Sequence, residues 1–547
     1  MTLSRVEVVG GGPAGLFAAR LIRERFPGTH VRVSERSVPD DTFGFGVAFT
    51  ERTLRAVADV APDTCQAMVA ASVPMPHQEI RVNGVSARSK GQAGGLAIAR
   101  SRLLSLLLDA ALEKGVEVEL GRERSWEEVR DADLVIGADG AGSTVRTELA
   151  PHLDATVAPG RGLFMWLGCS ARLPSNLFAP AFTEHGMVNI HGYPYAEDRS
   201  TIGVETDVDT WRRAGLEAAT LSCPADESDE YSIDYLQNAF HSVLGGAKLL
   251  GNRSRWMRFR TVNVKRWHHE NVVLIGDAAH TAHYSVGSGT KMAMEDAIAL
   301  VAALAEPDAG PLETALDRYE ATRRPRVEAL QETAVRSQQW WESLRQRVDL
   351  APARLMLAYL SRAGVVSAAR LAGHDPDLLR AGLEAFSGAP VEDAALERPT
   401  DWVLAQPHRV AAFASPTRVL GGGSTAALPR YERVTGTPGT VTAARRRLPD
   451  AVLIATLSAP TGDAFGVAGD ALVEQCEELL KAGADGIWFA AGDSRRVLLD
   501  ALAAGERIRS ETTLFTVAEA APGFADDLAD GVLAGRTDFV AFTTERD

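Results

Sequence analysis

Val6-Glu7-Val8-Val9-Gly10-Gly11-Gly12-Pro13-Ala14-Gly15-Leu16 is the stretch on which the fold turns. A short apolar run enters a glycine turn. Apolar positions at Leu16, Ala19, Leu21 and Ile22 then recur with a helical period, and a second run from His30 to Ser34 ends at Glu35. Strand, glycine turn, helix, strand and acid make a βαβ unit. Gly10-x-Gly12-x-x-Gly15 lets the backbone turn tightly and approach a pyrophosphate at a helix N-terminus. Glu35, 20 residues beyond Gly15, puts a carboxylate where a ribose diol would donate to it. Gly10, Gly12, Pro13, Ala14, Gly15, Glu35 and the adjacent Arg36 are therefore candidate cofactor residues. The turn itself does not choose between FAD and NAD. A purely structural glycine turn is the alternative, and the flanking strand and acid argue against it.

Outward from this unit, residues 99–112 read as a helix, with apolar positions at Leu103, Leu104, Leu107, Leu108 and Ala111. Leu134-Val135-Ile136 and Val272-Val273-Leu274-Ile275 read as buried strands. Residues 163–205 alternate polar and apolar side chains between turn residues, which predicts an antiparallel sheet. A helix is expected from about Lys291, and residues 312–362 are helical and amphipathic. The texture changes over 385–400, and Gly421-Gly422-Gly423-Ser424 follows as a flexible stretch. Beyond it Ala451–Leu457 reads as a strand, Leu472–Ala482 as a helix and Asp485–Ala490 as a strand, so a separate α/β unit is expected.

The 547 residues suggest three or four domains at roughly 150 residues each. Lys plus Arg number 57 and Asp plus Glu 72, a net charge of −15 that argues against nucleic acid or an anionic membrane as partner. No apolar stretch approaches the ~20 residues of a membrane helix. The first strand leaves no room for a signal peptide. Cys65, Cys169, Cys223 and Cys476 are scattered without metal or redox spacing, so reduced thiols and a cytoplasmic setting are expected. His268-His269 point to opposite faces of a strand and lack a third ligand, and no metal site is predicted. Trp340-Trp341 reads as helix packing.

Two further motifs narrow the cofactor. Gly137-Ala138-Asp139-Gly140-Ala141-Gly142-Ser143-Thr144-Val145-Arg146 follows one buried strand, and Gly276-Asp277-Ala278-Ala279-His280 follows another. With the glycine turn they resemble, in order and placement, the three FAD motifs of the single-component FAD-dependent aromatic-ring hydroxylases. That resemblance implies that Asp277 contacts the ribityl chain and that Arg100, opening the helix Arg100-x-x-Leu103, contacts the flavin nucleotide. Asp139, Gly287, Gly289 and Thr290 join the cofactor set on the same ground. No second Gly-x-Gly-x-x-Gly sits on a strand-to-helix turn, which fits NADH or NADPH as a transient co-substrate.

A narrower resemblance rests on Asp40-Asp41-Thr42-Phe43-Gly44-Phe45-Gly46-Val47, on Arg255-Trp256 to Trp267-His268-His269, and on Thr281-Ala282-His283-Tyr284-Ser285-Val286-Gly287-Ser288-Gly289-Thr290-Lys291. These resemble the monooxygenase half of salicylyl-CoA 5-hydroxylases and 2-aminobenzoyl-CoA monooxygenase/reductases. Tyr284 stands where the general family usually has Pro, and Thr290 lies near its usual Asn. This resemblance implies that His283 and Tyr284 pass beside the flavin ring as catalytic candidates, or alternatively only shape its pocket. Phe45, Tyr193, Tyr195 and Ser285 are the substrate-side candidates; Tyr193 and Tyr195, two apart, share a face. Arg81, Arg88, Lys90, Arg212 and Arg213 are the cations available to CoA phosphates.

Ala482-Gly483-Ala484-Asp485-Gly486 and Leu533-Ala534-Gly535-Arg536-Thr537-Asp538-Phe539-Val540 resemble the last strands of an old-yellow-enzyme barrel. Only 150 residues follow position 397, whereas a (β/α)₈ barrel takes about 250. The expectation is a degenerate remnant without an intact FMN site.

The expected fold is α/β: a Rossmann-like FAD-binding domain interleaved with an antiparallel substrate sheet, plus a small C-terminal α/β domain resembling a truncated barrel. FAD-binding segments are placed at 1–78, 99–155 and 258–310, the substrate sheet at 79–98 and 156–257, a helical segment at 311–397 and the barrel-like domain at 398–547. The resemblance implies FAD- and NAD(P)H-dependent hydroxylation of an aromatic acyl-CoA by O₂, salicylyl-CoA to gentisyl-CoA foremost, with a homodimer as the assembly. The alternatives are a 2-aminobenzoyl-CoA monooxygenase, a hydroxylase of a free aromatic or indolic substrate and, outside enzymes, a flavin-binding scaffold.

Overall fold

A computed structural model describes residues 3–38, 44–90, 95–307, 310–411, 413–421, 430–462 and 464–543. Asp40, Asp41, Thr42 and Phe43 of the quoted loop, and Gly422, Gly423 and Ser424 of the glycine-rich stretch, lie outside the described residues. The chain divides into two compact units, Met1–Glu79 with Gly91–Ala334 and Ile80–Lys90 with Val335–Asp547.

The first unit is built on a six-stranded sheet in the order His268–His269, Val272–Leu274, Leu134–Gly137, Arg5–Val9, His30–Glu35, Glu117–Leu120. All neighbours are parallel except the first pair. Parallel strands covered on both faces need apolar side chains on both, which is why Val6, Val8, Val31, Val33 and Leu134 to Ile136 form near-continuous buried runs. The helix Pro13–Arg25 packs against Arg100–Glu113 and Gly289–Leu304. Pro13 starts it from an extended Gly12, and Arg23 and Arg25 in its last turn suit the negative end of its dipole. Phe17 and Ile22 are fully buried on its inner face, each stabilising by about 1.5–3 kcal/mol.

Five strands of this unit form an antiparallel sheet in the order Leu249–Leu250, Leu163–Cys169, Ser200–Thr206, Gly186–Pro194, Asn176–Thr183. Strand alternation gives it two different faces. Met165, Leu167, Val188, Ile190, Ile202 and Val204 pack against Ile233 and Leu236 of the helix Glu230–Ala239 and against Phe240, which caps its end. The opposite face carries Phe164, Trp166, Asn189, His191, Tyr193 and Glu205, because Phe164 is in register with Glu205, and Glu205 with Asn189.

In the second unit, five parallel strands stand in sequential order: Tyr431–Thr435, Val452–Leu457, Gly486–Ala490, Phe515–Ala520 and Phe539–Phe542. The helices Pro438–Arg447, Val467–Lys481, Arg495–Glu511 and Ala525–Leu533 connect them. The boundary read at 397 falls inside this unit, because buried polar links tie the helical segment to the α/β part. Arg347 donates to Glu506, Arg536 donates to the carbonyls of Ala358 and Ser361 at 3.1 Å, and the Ala368 N–H donates to Asp530 at 2.9 Å. Trp340 and Trp341 are buried edge to face at 5.3 Å, each also against Tyr359. The hairpin Gln78–Val82 and Val85–Ser89 contributes most of its length to this unit, where the Lys90 N–H donates to Asp375 Oδ2 at 2.6 Å. Among the described residues no helix is long and apolar enough to cross a membrane.

Candidate active site

The glycine turn opens a cleft of about 1360 Å³, counted out to solvent, at the carboxyl ends of the parallel strands. Gly10, Gly12, Glu35, Arg36, Arg100 and Asp139 all line it. Gly10 has φ +108°, and a Cβ there would fall onto the Ala138 carbonyl; a Cβ on Gly15 would fall onto the carbonyl of Gly10. Pro13, Ala14 and Gly15 are buried and shape the turn from behind.

Glu35 is held in place by two backbone donors. Gly11 N–H reaches Oε2 at 2.6 Å and Ser37 N–H reaches Oε1 at 2.8 Å, so each oxygen keeps a lone pair for a ribose hydroxyl. Arg36 is largely exposed, 3.9 Å from Glu123. Asp139 uses Oδ2 on the N–H groups of Thr144 and Val145 at 2.7 and 3.2 Å, while its Oδ1 is buried without a partner. An orphaned carboxylate oxygen beside a cradle that tolerates no Cβ fits a dinucleotide carrying hydroxyl donors.

The Gly-Asp motif stands near Ala14 and Arg100. Gly276, at φ +60°, lets this loop approach Ala14 of the first helix. Asp277 is exposed on this loop. Desolvation by the surrounding protein raises its pKa, against the opposing charges of His280 and Arg100. Arg100 is in turn pushed down by burial and supported by Asp277. The two form a charge pair suited to the polar middle of a flavin nucleotide. Beneath the motif, Asp296 accepts from Gly276 N–H at 2.9 Å and from Arg323 Nε at 2.8 Å. His280 Nε2 lies 2.8 Å from Asp296 Oδ2, in ion-pair range although off the line of a hydrogen bond. Burial would raise the Asp296 pKa; His280, Arg323 and the Gly276 N–H together hold it below the usual carboxylate value. Arg146 joins the two Asp motifs, donating to the carbonyls of Ala278 at 2.8 Å and Ala141 at 2.7 Å.

The loop after this motif lies on the polar-aromatic face of the antiparallel sheet. The Tyr284 ring sits 5.0 Å from Phe164 and 5.1 Å from Trp166, with Phe259 at 6.0 Å and His283 at 4.1 Å. Its hydroxyl donates to Glu205 Oε1 at 2.6 Å. His283 Nδ1 and the Ser285 hydroxyl are 2.8 Å apart. Gly287, at φ +61°, ends the turn, and Gly289 and Thr290 open the helix Gly289–Leu304 with nothing within 4 Å of a Cβ on either glycine. Tyr193 donates to the Gly46 carbonyl at 3.0 Å, and Tyr195 packs on Gly46 within 2.6 Å of where its Cβ would be, so both brace the strand Gly46–Phe49. Burial pushes the Tyr193 phenol upward. Phe45 packs on Gly168.

Of the cations considered for CoA, Lys90 pairs with Asp377 at 3.0 Å, Arg212 with Glu217 at 3.4 Å, and Arg213 donates to the His185 carbonyl. Arg81 and Arg88 are also engaged. His268 bonds to Asp317 and His269 stacks on His152. Among the described residues no group of three or more His, Cys, Asp or Glu could hold a metal ion.

Sequence reading did not single out Arg146, Asp296, Arg323, Asn189 or Glu205 as functional. Asp296 and Arg323 belong to no motif spacing, whereas Arg146 ends the Asp-Gly stretch without a role being read for it. Asn189 did carry a signal, as an amide inside the apolar run Met187-Val188-Asn189-Ile190.

The FAD binding domain family profile matches residues 92–334. A salicyloyl-CoA 5-hydroxylase of Streptomyces sp. is 38% identical over 448 residues, covering 80% of this chain and 81% of that protein. A 3-hydroxy-4-methyl-anthranilyl-[aryl-carrier protein] 5-monooxygenase of Streptosporangium sibiricum is 36% identical over 66% of this chain and 95% of its own length. In fold, the chain is similar to a crystal structure of 2-methyl-3-hydroxypyridine-5-carboxylic acid oxygenase, with TM-score 0.50 and 22% identity over 66% of this chain and 96% of that one. The dinucleotide cleft, the two Asp motifs and the extent of these matches lead to one conclusion: the chain belongs to the family of FAD-dependent aromatic-ring monooxygenases.

Proposed function

We propose that the chain hydroxylates the ring of an aromatic acyl-CoA, salicylyl-CoA foremost, with NAD(P)H and O₂. The observation that carries this reading is the aromatic wall of Phe164, Trp166, Phe259, His283 and Tyr284 next to the Gly-Asp motif, in a chain 38% identical to a salicyloyl-CoA 5-hydroxylase. Bound FAD supplies the redox chemistry between NAD(P)H and O₂. The chain's residues do the rest. Gly10, Gly12 and the start of the helix Pro13–Arg25 take the pyrophosphate, Glu35 the adenosine ribose, Asp139 Oδ1 and Asp277 nucleotide hydroxyls, and Arg100 the negative charge. Gly287, Gly289 and Thr290 offer backbone N–H groups at a helix N-terminus, where negative charge is favoured. The aromatic side chains orient a flat ring and keep water from it. His283 and Tyr284 are the polar groups positioned to touch that ring.

The ring borne on a carrier protein is a second reading, supported by the 36%-identical monooxygenase whose substrate is held in that way. The five-stranded sheet of the second unit is a barrel remnant in this proposal: its strands are parallel and sequential, as in a (β/α)₈ barrel, but the barrel needs eight.

The test is product analysis of the purified protein with NAD(P)H and salicylyl-CoA, 2-aminobenzoyl-CoA, free salicylate and a carrier-protein thioester. Salicylyl-CoA should stimulate NAD(P)H oxidation with ring hydroxylation, and free salicylate should do so poorly. Equal kcat/KM for the two would replace the CoA reading with a free aromatic acid.

A further inference from the structure

Asn189 lies at the centre of the antiparallel sheet and is 3% exposed, yet neither its amide nitrogen nor its amide oxygen has a partner. Burying such an amide unpaired is destabilising, and folded chains retain few examples without a reason. Its side chain projects from the same face as Glu205, directly across the strand pair, and Glu205 accepts the hydroxyl hydrogen of Tyr284 at 2.6 Å. Phe164, in register with Glu205 on its other side, and Trp166 flank this polar spot with aromatic surface. The other face of the same sheet is entirely apolar core at the neighbouring positions Val188, Ile190 and Val204. The amide is thus directed away from the core and toward the face that Tyr284 covers.

Resting on the function proposed above, we infer that Asn189 and the Glu205–Tyr284 pair recognise the substrate's carbonyl and the hydrogen-bond donor ortho to it. Tyr284 donates to Glu205, so its oxygen accepts from an ortho hydroxyl or amino group. Glu205 strengthens that acceptance by polarising the phenol, as linked hydrogen bonds do. Asn189 Nδ2 donates to the thioester carbonyl. An acceptor and a donor held side by side match the ortho pair of a salicylyl or 2-aminobenzoyl ring, and the chain selects for a donor rather than merely for an electron-rich ring. Asn189 touches substrate in this assignment; Glu205 acts through Tyr284 and is a positioning residue.

The experiment separates donor recognition from ring electronics and from a structural role. A 2-methoxybenzoyl thioester keeps the resonance donation of an ortho oxygen but has no hydrogen to offer. The wild-type holoenzyme should turn over salicylyl-CoA at least 10-fold better in kcat/KM than 2-methoxybenzoyl-CoA, and 2-aminobenzoyl-CoA should be closer to the former. Glu205→Gln and Tyr284→Phe should each lower kcat/KM for salicylyl-CoA by about 10- to 100-fold and shrink that preference, with FAD content unchanged. Asn189→Leu removes the orphaned amide, so it should raise Tm while lowering kcat/KM for salicylyl-CoA by about 10-fold or more. An Asn189→Leu variant with a lower Tm and intact kcat/KM would make the amide structural, and Glu205→Gln with an unchanged preference would remove the pair; either overturns the inference. A wild type that hydroxylates free salicylate as well as the thioester overturns the CoA reading alone, and the same ortho comparison is then made with salicylate and 2-methoxybenzoate.

Discussion

Asp277 is the residue on which flavin retention is expected to depend most directly. Its carboxylate faces open space with Arg100 as its charge partner, so ribityl hydroxyls would lose a charged acceptor worth about 1.5–3 kcal/mol in an Asp277→Ala variant. Fluorescence titration should show FAD affinity falling roughly 10- to 100-fold by that estimate, and unchanged affinity would remove the assignment. Asp530 allows a different prediction in the second unit. Burial raises its pKa from 3.8 to about 7, against the Ala368 N–H and the charge of Arg536. The folded chain therefore holds a proton that the unfolded chain releases. This contribution to stability is fully present below about pH 4 and is lost as pH rises to about 7. The slope amounts to about 4 kcal/mol at most. Denaturant unfolding at pH 5 and pH 8 should show the wild type weakening at the higher pH, and Asp530→Asn should flatten that slope. Asp530 was not legible as a site in the sequence, because what distinguishes it is burial, and Asn189 left only the trace of an amide inside an apolar run. The motif residues Glu35, Asp139 and Asp277 were legible because their spacing along the chain reflects strand ends.

At the scale of elements, the glycine turn and the loop of the Gly-Asp motif differ in how far a sequence reveals them. The turn is local: Gly10, Gly12 and Gly15 lie between one strand and one helix, and their pattern can be read directly. Its rigidity has a measurable consequence. Gly10→Ala would force a Cβ onto the Ala138 carbonyl at a φ of +108°, so the variant should lose FAD and melt several degrees lower. Retention of both by that variant would contradict the close approach. The support beneath Asp277 is non-local. Asp296 and Arg323 come from different helices, 27 residues apart, and no spacing rule connects them. Arg323→Met leaves a buried carboxylate with one partner fewer, at a cost of about 3–5 kcal/mol. Thermal melts should therefore show a larger loss for Arg323→Met than for Asp277→Ala, whose carboxylate faces open space. The antiparallel sheet lies between these cases: alternation over 163–205 predicted it, while the pairing of Phe164 with Glu205 and of Glu205 with Asn189 depends on register, which alternation does not specify.

For the whole molecule, the flavin-to-chain ratio is the first quantity to measure. One FAD and no FMN is the expectation if the parallel sheet of the second unit is a barrel remnant; a ratio near two with FMN in the extract would overturn it. The net charge of −15 sets a second expectation for the proposed CoA thioester, which would approach a protein of its own sign and depend on local cations. Its kcat/KM should fall with added salt, more than that of an uncharged aromatic analogue. The boundary expected at 397 came from loop residues. The division after Ala334 depends on which buried groups pair, and Arg347 with Glu506 is a pairing that no local pattern encodes.

The composition of that second unit sets a timetable for biosynthesis. Its hairpin residues Ile80–Lys90 emerge from the ribosome early, whereas Asp375, which accepts the Lys90 N–H, is 285 residues further on. At about 5–20 residues per second, the hairpin waits roughly 14–57 s for that partner. By the end of that interval the glycine turn, made before the hairpin, has been joined by the two Asp motifs and the antiparallel sheet. A nascent chain stalled near residue 340 should therefore already resist protease across the flavin cleft, and the Lys90 end of the hairpin should gain its protection only when Asp375 has been released.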